Sequence, residues 1–278
     1  MVALKPEVTS LTGLVIVALL LPACGGAPGP APLSRWREPA TGMEFIYVPP
    51  ARFLMGSAPG VSGRQADEVQ HEVDITQGFY LGRYEATQGE WVEVMGENPS
   101  QFPNCGWRCP VETVSYLAIQ RFIRRLEKRS PGSRFRLPTE AEWELACRAG
   151  TTTPFSTGNT LTSDQANIDG RYSYDGGPPG RFRGSPAPVG SYPPNRWGFC
   201  DMHGNLWEWC EDWYGPYPTE PERDPRGPVS GTRRVIRGGS WYFDANSARS
   251  ALRYTHRPQD DGFSLGFRLV REATRQGR

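Results

Sequence analysis

The chain has 278 residues, a net charge of +1, and 32 Gly and 27 Pro. So even a charge balance lacks the basic footprint of a nucleic-acid binder, and the length admits one large domain or two small ones. Nine Trp, twelve Phe and eleven Tyr supply bulky core material, while the Gly and Pro argue for short elements joined by long loops.

Residues 11–21 form an apolar run preceded by Lys5 and ending in Leu21-Pro22-Ala23-Cys24. The run is too short to span a bilayer. It resembles a bacterial lipoprotein signal, which implies cleavage before Cys24 and lipidation of its thiol. On this reading residues 1–23 are the signal, 24–39 a flexible tether rich in Gly and Pro, 40–271 a single domain and 272–278 a tail. The protein is then expected outside the cytoplasm, anchored by lipid to a bacterial membrane. With Gly25-Gly26 and no Asp after Cys24, the outer membrane is expected where there are two.

An oxidising compartment permits disulfides. Cys105 and Cys109 flank Gly106-Trp107-Arg108 and are expected to pair; Cys200 and Cys210 are the second candidate pair, which leaves Cys147 over. A lone CxxxC is poor support for zinc.

In chain order, residues 43–57 read as two short strands turning at Pro49-Pro50 as a hairpin, and residues 73–84 as a further strand region. Thr87 and Glu90 have capping-box spacing ahead of a helix whose apolar face is Trp91, Val94 and Met95. Ala118, Ile119, Phe122, Ile123 and Leu126 recur with helical period between Ser115 and Lys128, and Pro131-Gly132 ends that helix. Thr139 and Glu142 repeat the capping-box spacing, so the local carboxylates read as helix N-terminal charges rather than an acid/base pair. Residues 151–194 show little periodicity and read as a long ordered loop region. His71, His203 and His256 are widely spaced and read as surface or hydrogen-bonding residues.

Six stretches occur in one order: Gly56-Ser57; Arg136-Leu137-Pro138-Thr139-Glu140-Ala141-Glu142-Trp143-Glu144; Pro194-Asn195; Gly204-Asn205-Leu206-Trp207-Glu208-Trp209; Arg237-Gly238-Gly239-Ser240-Trp241; and Gly266-Phe267-Arg268. This ordered set resembles the formylglycine-generating enzyme (sulfatase-modifying factor) family. The resemblance implies an α+β, C-type-lectin-like fold, loop-rich and in one domain. The family's oxidase uses two copper-binding cysteines soon after the Gly-Gly-Ser; the matching positions here are Phe243 and Ala248. Neither offers a thiolate, so no copper is expected and the oxidase activity is not carried over. The resemblance does imply a structural calcium ion on the loop 201–208, with carboxylates from Asp201 and Glu208 and carbonyls from Gly204 and Leu206. A second family calcium site would start at Asn167-Ile168 but lacks a clear acidic partner.

The C-terminal segment also resembles the variable proteins of diversity-generating retroelements, a non-catalytic branch on the same scaffold. The constant frame is Gly238-Gly239-Ser240-Trp241, Ala245, Ala248-Arg249-Ser250-Ala251, Arg253, Pro258 and Leu265-Gly266-Phe267-Arg268. The slots between are Tyr242, Phe243, Asp244, Asn246, Ser247, Leu252, Tyr254, Thr255, His256, Arg257, Asp260, Asp261, Gly262, Phe263 and Ser264. None is Lys, Glu, Gln, Met or Trp, the residues that randomising adenines of an Asn codon cannot produce. Their mixture of stiff aromatics and small polar groups suits a paratope for a protein or glycan ligand. The expectation is a membrane-tethered binding module with its site on residues 242–264. The alternatives are an oxidoreductase of the family with altered chemistry and a structural envelope protein.

Overall fold

The computed structural model describes residues 31–273. The signal segment and Cys24 lie outside the described residues. Among the described residues no helix is long and apolar enough to cross a membrane.

The strands sort into three sheets. Glu44–Val48 is buried along most of its length, so it sits inside a five-stranded antiparallel sheet in the order Arg35–Arg37, Glu44–Val48, Phe79–Gly82, Val270–Glu272 and Phe135–Arg136. Pairing Val270 with Leu81 brings the end of the domain onto its beginning. The edge strand Arg35–Arg37 falls in the stretch expected to be tether. It is held because Trp36 packs against Phe45, Tyr80 and Phe135, with ring centroids 5.5, 6.4 and 6.3 Å away.

Residues 43–57 are two strands but not a hairpin. Pro49 and Pro50 carry no amide donors, and beyond them Ala51–Met55 leaves for a second sheet, pairing with His71–Ile75, which in turn takes Glu222–Arg223 in parallel. The third sheet runs Tyr254–His256, Arg234–Arg237, Trp207–Trp213 and Leu265–Gly266, the last pair parallel.

Three α-helices cover these sheets: α1 (Gln88–Met95), α2 (Tyr116–Arg129) and α3 (Glu140–Arg148). Both capping boxes form, Thr87 with Glu90 and Thr139 with Glu142, each satisfying two otherwise orphaned backbone amides. Helix α2 starts at its Ser115 cap and buries Ile119, Phe122, Ile123 and Leu126. Trp91 of α1 stacks on Phe122 at 5.1 Å, and Phe267 meets both rings edge-on. Outside that buried face α2 exposes Arg121, Arg124, Arg125, Lys128 and Arg129. Between α3 and Trp207 the chain forms no regular helix or strand, as expected of the loop region. The architecture is the expected α+β, C-type-lectin-like fold with few helices and short strands.

Candidate functional site

The strand Arg234–Arg237 ends in two residues that must be glycine. Gly238 and Gly239 have φ of 99° and 71°. A Cβ on Gly238 would meet the Trp143 ring at 3.1 Å, and one on Gly239 would meet the Ser247 carbonyl at 2.8 Å. This tight passage turns the chain out into the segment 240–268. A 3-10 turn, Ala245–Ala248, follows, with the Asp244 side chain accepting from the Ser247 amide.

Three arginines of this segment, and Arg237 just before it, which donates to the Ser250 and Ala251 carbonyls, fasten the segment to the body. Arg237 reaches Glu140 at 2.9 Å and Glu144 at 2.5 Å. Arg249 grips both oxygens of Glu68 at 2.7 Å. Arg253 takes both oxygens of Glu140 at 2.7 and 2.9 Å. Arg268 takes both oxygens of Glu208 at 2.7 Å. All eight of these charged residues are buried. Bidentate Arg–carboxylate geometry fixes orientation as well as position. The carboxylates at the start of α3 are thus not an acid/base pair: Glu142 closes the cap, while Glu140 and Glu144 hold arginines of the C-terminal segment.

The frame and the slots separate by burial. Trp241, Ala245, Ala248, Arg249, Ser250, Ala251, Arg253 and residues 265–268 are buried. Tyr242, Phe243 and Tyr254 are 53, 38 and 54% exposed. Arg257 and Asp261 are exposed, and Asp244, Asn246, Ser247, Thr255, His256, Asp260, Gly262, Phe263 and Ser264 are half-buried. Leu252 is a correction: it is 7% exposed and belongs to the main apolar core, so it is not a contact residue. Asn246 also turns inward, accepting from Arg249 Nε at 3.0 Å.

The exposed aromatics form one connected patch. Phe243 meets Tyr242 at 5.9 Å and Trp207 at 5.7 Å; Tyr254 lies 5.6 Å from the same Trp207. Phe263 packs on Tyr242 at 5.4 Å and on the buried Trp241 at 5.7 Å. Phe182 stacks on Trp241 at 6.1 Å and carries the Arg171 guanidinium 4.2 Å from its ring. Trp207 and Phe182 were not among the slot residues. Alternation along Trp207-Glu208-Trp209 could have placed the first; nothing in the spacing pointed to Phe182.

Among the described residues the free thiols are buried beneath the surface and not part of the exposed patch, Cys147 Sγ lying 3.6 Å from Ser250 Oγ. Cys105 and Cys109 are joined in a disulfide with Cα atoms 5.8 Å apart. Cys200 and Cys210 do not pair: both are free and buried, as is Cys147. Cys210 points from its strand into an apolar cluster with Cys147 and Phe199, whereas the Cys200 carbonyl accepts from Arg268. Burial pushes the Cys147 thiol up to about 12 and raises the other two as well. Ala248 is buried and its carbonyl accepts from His203 Nδ1 at 2.8 Å. His203, held by burial down to about 4, is neutral and accepts from the Ser156 amide at 3.0 Å through Nε2. His71 is likewise buried, and His256 is half-buried.

The two calcium readings fare differently as donor sets. Both Glu208 oxygens are taken by Arg268, and one also by Trp143 Nε1 at 2.9 Å. Asp201 is buried and accepts from the Gly190 amide at 2.7 Å. Asn205, between them, bonds to Asn167, Ala187 and Glu85. The set Asp201, Gly204, Leu206 and Glu208 therefore does not fit a calcium cage. At Asn167-Ile168, by contrast, Asn167 Oδ1 is buried without a partner, a free oxygen of the kind a hard cation takes. Among the described residues no three His, Cys, Asp or Glu side chains gather where they could hold a metal ion.

Comparison with known proteins places this geometry. The formylglycine-generating enzyme of Streptomyces coelicolor is 41% identical over 149 residues, 50% of this chain and 47% of that enzyme. The chain spans less than half the length of the first curated relatives it matches, 38% for a serine/threonine-protein kinase pkn1 of Chlamydia caviae. Among solved structures, Treponema denticola variable protein 1 superposes with a TM-score of 0.72 at 26% identity, over 87% of this chain and 99% of that one. PvdO from Pseudomonas aeruginosa superposes with a TM-score of 0.73 at 28% identity over the same shares, 87% and 99%. The chain belongs to the family of the sulfatase-modifying factor enzyme 1-like domain, whose model matches residues 32–273.

Proposed function

We propose that this protein is a lipid-anchored, non-catalytic member of its family that binds a protein or glycan ligand through the aromatic patch of segment 242–264. The observation that carries the reading is the division of one short segment into two populations. Its frame residues are spent on buried ion pairs, and its slot aromatics lie open on top of them. Exposed Tyr and Phe on a rigid base lose little conformational freedom on binding and bury much area. The likeness to a variable protein over nearly its whole length supports the same reading. Against oxidase chemistry, Phe243 and Ala248 stand where the thiolates would be, and the free thiols are buried and poorly ionised.

The test is a photo-crosslinking amino acid placed at Tyr242 or at Tyr254 in cells. Both positions should capture the same partner, and an exposed position beside the far, C-terminal end of α2, Glu93, should not. Tyr242→Ala and Tyr254→Ala should abolish capture while leaving the melting temperature within a degree or two. If these variants unfold as readily as Trp241→Ala, the patch is core and the reading fails. Formation of formylglycine in a sulfatase-type cysteine peptide incubated with protein, copper and oxygen would favour the oxidoreductase instead. A reverse transcriptase gene beside this one, with a near-copy of the segment, would show that the slots are diversified.

A further inference from the structure

Helix α2 points a line of cations outward that the fold does not use. At about 100° per residue, Arg121, Arg124 and Lys128 follow one another along the face opposite Ile119, Phe122 and Leu126. All three are exposed, and none forms an ion pair among the described residues. Their neighbours are spoken for: Arg125 donates to the Met95 carbonyl, Arg129 pairs with Glu93, and Arg134 with Glu127. An ordinary solvated helix face mixes signs, with Glu placed four residues before Lys or Arg. On α2 the only acid is Glu127, and it turns aside to the Phe135 amide.

The position of this stripe is the second observation. At the C-terminal end of α2, Ser130 hydrogen-bonds Glu38, directly after the strand Arg35–Arg37 by which the chain enters the domain. Arg35 on that strand is also exposed. Fully extended, the stretch from Cys24 to Ser34 reaches at most about 35 Å. A domain on so short a leash cannot leave its membrane, so the polyanion always within reach of these cations is the bilayer surface.

We propose that Arg121, Arg124 and Lys128, with Arg35, dock the domain on the anionic phospholipid headgroups of the leaflet that holds its anchor. The proposal rests on the anchoring inferred above for Cys24. At its other end α2 bonds the ligand segment, the Leu117 amide donating to the Pro258 carbonyl. The helix, about 21 Å long, thus sets the spacing between the docked pole and those loops.

The experiment uses unlipidated protein, residues 31–278, which contains every helix, strand and apolar cluster described above. It is sedimented with vesicles of phosphatidylcholine alone or mixed with phosphatidylglycerol. Binding should occur only to the mixed vesicles and be reversed by salt. Each cation removed should weaken it about fivefold, so Arg121→Gln/Arg124→Gln/Lys128→Gln should weaken it about a hundredfold at an unchanged melting temperature. Arg121→Lys/Arg124→Lys should bind like the parent. Equal partitioning onto both vesicle types, an unaffected triple variant, or binding to acidic proteins but not to vesicles would each overturn the proposal. Because the assay uses no lipid anchor, a Cys24→Ala chain that still fractionates with membranes would sink the anchoring alone and leave the vesicle result standing.

Discussion

Arg268 and Glu208 meet through two parallel hydrogen bonds of 2.7 Å, and neither side chain reaches solvent. The pair joins the penultimate strand region to the Trp207–Trp213 strand, and the same guanidinium donates to the carbonyls of Gly82, Arg83 and Cys200. Removing one member of such a pair leaves a buried charge uncompensated, which costs about 3–5 kcal/mol. Arg268→Met should show that loss in urea unfolding, and Glu208→Gln/Arg268→Met should recover part of it. A single-variant loss under about 1 kcal/mol would mean that the pair merely fills space.

Asp212 gives the protein a dependence on pH. Burial, with Glu140 nearby, pushes its carboxyl up to about 8, and its Oδ2 accepts from the Glu140 amide at 2.8 Å. An acid raised in the folded state binds its proton more tightly there than in the unfolded chain, so stability falls as pH rises from the unfolded value near 4 toward 8. Asp201, raised to about 6, and Glu85, also raised by burial, act in the same direction. His203, lowered to about 4, acts oppositely between pH 4 and 6.5. The open window is therefore pH 6.5 to 8, where the melting temperature should fall. Asp212→Asn, which keeps the acceptor, should flatten that slope; an unchanged slope would place the titration elsewhere.

Calcium, if bound, is expected at Asn167 and not through Glu208. Chelator should then lower the melting temperature of the parent, because a ligand held only by the folded state stabilises it by mass action. Asn167→Ala should be insensitive to chelator. A parent protein indifferent to chelator, and free of calcium when purified, would remove the ion from the account.

Cys24→Ala should release the protein from membranes or stall its processing, as read by fractionation and mass. Recovery in the membrane fraction at the usual mature mass would overturn the lipid anchor.

The legible parts of this fold were those written in local chemistry. Thr87, Ser115 and Thr139 mark helix starts because a cap is a contact between residues three apart, and the period of Ile119, Phe122 and Leu126 repeats within one helix. The frame and slots of segment 238–268 were legible as a pattern, and burial follows that pattern except at the buried slot Leu252 and the half-buried frame residue Pro258. What could not be read was long-range. Glu68 lies 181 residues from Arg249, and no spacing rule joins them. The same holds for Pro49-Pro50, whose flanking strands look like a hairpin until their partners, Phe79–Gly82 and His71–Ile75, prove to lie in different sheets. Trp36 gives no signal in the sequence because a short strand at the edge of a sheet has too few residues to show alternation.

The four arginines that fasten the C-terminal segment find their carboxylates in the body of the domain, at Glu68, Glu140, Glu144 and Glu208. The locks that hold the segment are thus made by residues other than those it displays. Replacing Tyr242 or Tyr254 changes what the surface offers without touching a lock, so the displayed residues can vary while the fold beneath them stays the same.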